Sequence, residues 1–267
     1  MQSIQRFPLL SFFVLAYFLT WVVEVPVLLG AKGILPLHLP QWMEAVAAFG
    51  PFVAALVVLK CTHGSHGISK LMASLCRWRV PGSWFAATLI SPFLILLAAL
   101  FISGETDTLF NGDIWDRLSA EGRLAEVFLF GGLLRGLGEE PGWRGFALPR
   151  LRGRSGPLFA TLLLWPVWLL WHLPSMLMRP EFSLAAWLGF SVGLLAAALI
   201  LTLIYERTGS VLMVAIWHAL INITRGIAAS ASTESFFAFA QVTLVVGVLI
   251  IVYWTIFSRS EGAYELG

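Results

Sequence analysis

Eight apolar runs, each near the length that crosses a bilayer, succeed one another along a chain of 267 residues. They fall near residues 7–30, 43–59, 84–103, 124–148, 156–178, 184–205, 211–229 and 236–257. About 20 residues of helix span the hydrocarbon core. Lipid offers the backbone no hydrogen-bond partner, so only helices and closed barrels cross it, and runs this long read as helices. The expected fold is an all-α polytopic bundle of about eight transmembrane helices. Composition agrees: 58% of residues are hydrophobic and 12% charged, against about 25% charged in an ordinary soluble domain. No soluble domain, long linker or repeat interrupts the pattern, so residues 1–267 read as one membrane domain. The first run lacks a small-residue cleavage pattern and reads as a retained anchor.

Charge sets the orientation. Arg6, Lys60, Lys70, Arg77, Arg79, Arg150, Arg152, Arg154, Arg207 and Arg259 fall on one side. The other side carries Lys32, Arg117, Arg123 and Arg179 with the acids Glu105, Asp107, Asp113, Asp116 and Glu121. The positive-inside rule then makes both termini cytoplasmic, in a plasma (inner) membrane. The net charge of +2 comes from scattered basic residues, which form no stripe for phosphates and exclude nucleic acid as a partner. Cys61 and Cys76 flank a cytoplasmic connection, where a disulfide is not expected. Cys61, His63 and His66 lie close in that loop but lack a closed four-ligand zinc pattern. Residues 68–80, ISKLMASLCRWRV, place Leu71, Leu75 and Trp78 on one face, as in an interfacial amphipathic helix or a basic loop.

Against this apolar background the stretch GLGEEPGWRGFALPRL holds Glu139, Glu140 and Arg144. Ionisable groups in a span are expensive and mark function by default. Residues four apart share a helix face, so Glu140 meets Arg144, while Glu139 lies about 100° around the axis. One carboxylate is paired and the other is free to act as a base. Pro141 removes a backbone hydrogen bond, so the helix starts, kinks or widens at residues 139–142. His172 follows Trp168 by one turn, and His218 precedes Asn222 by one turn, giving WxxxH and HxxxN. A base, imidazoles and an amide donor on successive helices suit hydrolysis; an interhelical network that only stabilises the bundle would use the same residue types. Counted from the cytoplasmic ends, Glu139 and His218 lie roughly 15 Å deep at 1.5 Å per residue. His172 lies deeper, unless Pro166 delays the start of its helix.

Other signals weaken. Gly189, Ser191 and Gly193 match GxSxG but lie inside an apolar helical run, where small residues for helix packing explain them better than a nucleophile. Neither HExxH nor GxGD occurs. Glu24 and Glu126 read as interfacial, Arg135 as snorkelling or paired with Glu139, and Arg225 as lying within a span; none is assigned a catalytic role.

The sequence E-E-P-G-W-R at residues 139–144, W-L-L-W-H at 168–172 and H-A-L-I-N at 218–222 together resemble the CPBP family of intramembrane proteases. That family, also called Abi, comprises CAAX prenyl-protein endopeptidases and bacteriocin-processing or immunity proteins. The motifs lie in a core at about residues 124–230. Trp168 stands where the family usually has phenylalanine, which keeps aromatic bulk. The resemblance implies that Glu139 and His172 activate water, that His218 and Asn222 form an oxyanion hole, and that Glu140 and Arg144 support them. It implies membrane lipids and a membrane-tethered or lipidated peptide or protein as partners. No cofactor is expected on this reading. A zinc metalloendopeptidase, with Glu139, His172 and His218 as ligands, is the alternative at the same site, but neutral Asn222 would be an unusual fourth ligand. A non-catalytic immunity or scaffold protein and a proton or solute transporter are the rival classes.

Overall fold

Each long apolar run closes its own backbone hydrogen bonds as a helix. The computed structural model describes residues 2–36, 39–40, 42–120, 122–153, 156–179 and 182–261, and no strand occurs among them. Glu121 and Arg154 lie outside the described residues, as does the side chain of Arg259. The first long helix, α1 (Pro8–Ala31), begins on a proline, where the missing N–H has no intrahelical partner to lose. It is followed by α2 (Gly50–Leu75) and α3 (Gly82–Ser103), the latter closed by Gly104 at φ 74. The second half holds α4 (Arg135–Gly142), α5 (Pro157–Trp171), α6 (Leu173–Leu177), α7 (Leu184–Thr208), α8 (Val211–Ala231) and α9 (Thr233–Glu261). Ser183 and Ser210 cap α7 and α8 by accepting from the backbone N–H groups of Ala186 and Met213.

Six helical segments are long and apolar enough to cross a membrane: α1, Met43–Leu75, α3, α7, α8 and the Thr233–Ile256 part of α9. The chain is an all-α polytopic membrane bundle. The two remaining apolar runs, both of which carry motifs, are helical but broken. Around α4 the helix widens into π-type turns at Ala125–Leu134 and Trp143–Ala147 before ending as Leu148–Arg152. Pro141 forces part of this, since its ring removes a hydrogen bond and crowds the preceding turn. In the other run the helix starts at Pro157 with Pro166 inside it, so Pro166 does not delay the start. The break comes instead at His172, between α5 and α6, where Pro174 has no N–H to return to the chain.

Packing centres on α8, whose spanning window is 61% buried inside the protein, more than that of any other candidate span. It contacts α3, α4, α7, α9 and the widened Ala125–Leu134 segment, while α4 also packs on α2. Glycines make this closeness possible. A Cβ at Gly136 would lie 2.4 Å from the Ala215 carbonyl oxygen, and at Gly132 2.5 Å from Ile223, both on α8. On the other side, a Cβ at Gly142 would meet the Pro51 backbone at 2.6 Å, and at Gly138 the Ala48 carbonyl oxygen at 2.7 Å. Gly132 and Gly136, then Gly138 and Gly142, are two small-xxx-small pairs that let backbone approach backbone on opposite sides of one helix.

The same test overturns the packing role expected of Gly189 and Gly193, because a Cβ at either meets nothing within 4 Å. Residues 68–80 also differ from expectation. The helix runs only to Leu75, having kinked at Gly64 with φ 62. Leu71 is buried, but Trp78 lies beyond the helix and is exposed, because the chain is extended towards Pro81. The segment with Cys61, His63 and His66 is helical on both sides of the Gly64 kink rather than a loop, and His63 Nδ1 lies 2.7 Å from the Thr62 hydroxyl.

Gly142→Ala should lower stability by about 1–3 kcal/mol despite alanine's better helix propensity, because its Cβ meets backbone that cannot move aside. Gly189→Ala should be neutral or stabilising. Thermal unfolding of the two purified variants in detergent separates these outcomes.

Candidate active site

Glu139 and Glu140 occupy adjacent positions of α4 and are both fully buried, yet they face different partners. Arg144 Nη1 donates to Glu140 Oε1 at 3.0 Å and to Oε2 at 3.2 Å. His218 Nδ1, from α8, lies 2.6 Å from the same Oε1. An ionised carboxylate only accepts, so this bond puts a proton on Nδ1 of His218. Glu140 thus ties the first motif to the third. Arg144 also places its Cζ 4.2 Å from the Trp168 ring centroid, a cation–π contact with the second motif.

Glu139 is held differently. The Trp168 indole N–H donates to its Oε2 at 2.8 Å, and His172 Nε2 stands 3.9 Å from that oxygen. The other oxygen, Oε1, is buried without a hydrogen bond, with Arg135 Nη1 3.9 Å away. His172 Nδ1 lies 2.8 Å from the Trp168 carbonyl oxygen. A carbonyl only accepts, so Nδ1 carries the proton, and in the neutral ring the lone pair sits on Nε2, the nitrogen nearer Glu139. Aromatic rings fix the imidazole: Trp168, Trp171 and Phe190 lie 5.6, 4.8 and 5.2 Å from its centroid, all edge-on. Trp168 also stands edge-on to His218 at 5.7 Å. One indole therefore touches Glu139, Arg144, His172 and His218.

Asn222 lies one turn beyond His218 on the same face of α8 and is half-buried. Glu139, Glu140, Arg144, Trp168, His172 and His218 are brought together by contact, and Asn222 adjoins them through its helix. His172 nonetheless reaches the cluster, with Nε2 3.9 Å from Glu139 Oε2 and its ring edge-on to Trp168. Several neighbours escape a motif reading. Glu44 accepts from Arg135 Nη2 at 3.2 Å, so Arg135 pairs chiefly with Glu44 rather than with Glu139. Glu24, expected at an interface, is instead 1% exposed within the bundle. Single acids in apolar runs were the available signal for both. Trp171 and Phe190 carried none, since an aromatic residue in lipid is ordinary.

Glu140 engages Nδ1 of His218 and leaves its Nε2 free, and among the described residues no three His, Cys, Asp or Glu side chains are placed to hold a metal ion.

Residues 122–224 match the family described as Rce1-like, type II CAAX prenyl endopeptidase. Over 127 residues the chain is 28% identical to a CAAX prenyl protease 2 of Methanococcus maripaludis; the match covers 45% of this chain and 47% of that protein. The chain thus spans about half the length of the curated relative it matches. The motif-bearing region, with its EExxxR, WxxxH and HxxxN, is thus similar to type II CAAX prenyl endopeptidases.

Proposed function

We propose that the protein is an intramembrane endopeptidase of the CAAX-processing type, hydrolysing a peptide bond of a membrane-tethered or lipidated substrate with water activated by Glu139 and His172. The observation that carries this reading is the state of Glu139. Its carboxylate is buried, oriented by one indole hydrogen bond, and retains a second oxygen without a hydrogen bond. The 3.9 Å between Glu139 Oε2 and His172 Nε2 is too long for a direct bond, and it suits one water bonded to both groups.

In the reaction, the water oxygen attacks the scissile carbonyl carbon as Glu139 takes one of its protons, and the carbonyl oxygen becomes an oxyanion. His218, protonated at Nδ1 beside Glu140 and also at Nε2, donates Nε2–H to that oxyanion, and the Asn222 amide donates beside it. Donors fixed in a water-poor site are worth about 2.7–4 kcal/mol each against the developing charge. Collapse breaks the C–N bond, the proton held by Glu139 passes to the departing amine, and the second water proton moves from the new carboxyl group to that amine, leaving a carboxylate and an ammonium group. Trp168, Glu140 and Arg144 are positioning residues that act through Glu139 and His218. Both termini face the cytoplasm in this reading, and the membrane is the plasma (inner) membrane.

Glu139→Gln keeps the size and the indole hydrogen bond but removes the base, so cleavage of a lipidated model peptide should fall at least about 10³-fold with unfolding unchanged. Full activity in that variant sinks the assignment. Trp168→Phe keeps the aromatic bulk and loses the bond to Glu139; a loss of roughly three- to tenfold, mainly in kcat, is expected. Activity should survive exhaustive chelation. Loss on chelation with recovery on stoichiometric zinc would establish the metalloendopeptidase instead.

A further inference from the structure

A groove of about 280 Å³ lies between α3, α7 and α9, three candidate spans that carry no motif residue. Its walls run from Ser91 to Trp84 on α3, from Ile200 to Ile204 on α7 and from Val246 to Tyr253 on α9. Residues three, four and seven apart share a helix face, so each helix gives the groove one continuous apolar stripe. Ser91 Oγ already accepts from the Trp217 indole N–H at 3.0 Å. The walls therefore offer hydrocarbon over roughly 10 Å, seven residues at 1.5 Å each. Ala87 and Leu249 are exposed, so the groove opens sideways, towards lipid.

One end of the groove differs. Arg207, seven residues beyond Ile200 on α7, places its Cζ 5.8 Å from the Trp84 ring centroid and 5.4 Å from that of Tyr253, and donates to the Tyr253 hydroxyl. Two aromatic rings that line the groove thus hold a guanidinium at its mouth. Arg77 reaches the same corner, its Nη1 lying 3.1 Å from where a Cβ would stand on Gly209, two residues after Arg207. Ser210 Oγ donates to the Arg77 carbonyl and Ser74 Oγ to that of Gly209, which ties the corner together. The neighbouring acid, Glu206, is taken by Arg152 Nε at 3.1 Å, and among the described residues neither Arg77 nor Arg207 has an acidic partner. Two exposed cations therefore stand without an anion at the head of an apolar slot.

We propose that this groove binds an anionic glycerophospholipid of the surrounding bilayer, with one acyl chain along α3, α7 and α9 and its phosphate on Arg207 and Arg77. Guanidinium groups match a phosphate through paired N–H donors. Basic pockets between transmembrane helices favour acidic head groups, and Trp84, Tyr253 and Arg207 are the residue types that sit at head-group level. The apolar length covers about two thirds of the roughly 15 Å of hydrocarbon in one leaflet, where a chain hanging from a phosphate at the helix ends would lie. A zwitterionic lipid would set its own cation against two arginines. A free phosphate would forfeit the apolar contact.

The test uses the full-length protein in a non-ionic detergent, mixed with dioleoyl phosphatidylglycerol or dioleoyl phosphatidylcholine, with native mass spectrometry counting the lipids retained. The wild type should retain phosphatidylglycerol at least about tenfold over phosphatidylcholine, and Arg207→Gln should cut that preference by about fivefold. Ala87→Phe, which fills the groove, should lower retention of both lipids; unchanged retention would place the chain elsewhere and overturn the site. Arg79→Gln removes an exposed arginine stacked on Trp78, outside the groove, and should change nothing. If it costs as much as Arg207→Gln, the basic surface attracts acidic lipid without a site, and the proposal falls. Displacement of the lipid by glycerol phosphate, which has a head and no chain, would assign Arg207 to a free phosphate instead. Should the variants fail to fold, the wild type still decides, because equal retention of the two lipids overturns the site.

Discussion

The buried Glu140 carboxylate, shared between Arg144 of its own helical run and His218 of α8, is the contact on which the rest of the site depends. A guanidinium and a carboxylate taken out of water need each other, and removing one member of a buried pair costs about 3–5 kcal/mol because its partner is stranded. The pairing fixes the rotation of α4 against α8. With Glu140 committed to that pairing, Glu139 turns to the second motif, where one indole hydrogen bond orients it.

The approach that allows this contact is a matter of missing side chains. Gly136 faces α8 and Gly142 faces α2 with no room for a methyl group, so α4 is clamped on both sides at backbone distance. The widened turns on either side of α4 and the helix break at His172 are the irregular backbone that an apolar bundle accommodates where polar groups converge. Rigid aromatic neighbours complete the arrangement. Trp168 contacts all three motifs: its ring packs on Arg144 and both histidines, and its N–H supplies one directed bond to Glu139.

Much of this was legible beforehand. Apolar runs of spanning length gave the all-α membrane bundle, because lipid leaves the backbone no other solution. The four-residue spacing of Glu140 and Arg144 gave their pairing, because helix geometry alone puts them on one face. Less legible was anything that depended on a second helix. That His218 lands on Glu140, that Glu44 takes Arg135, and that Glu24 points inward are facts of packing between segments far apart in the chain. Pro166 and Pro174 look alike in sequence, yet only the latter sits where the helix breaks.

The sequence by itself determined the solvent this chain folds in, the places where its helices run, and the chemical types gathered in three motifs, since length, hydropathy and local spacing need no partner. The tertiary structure alone decided that His218 joins Glu140, that the Trp168 indole bridges the three motifs, and that Glu44 takes Arg135. The physical reason is that hydrogen bonds and ring contacts require separations of a few ångströms, and those are set by how closely glycine lets three helices pack.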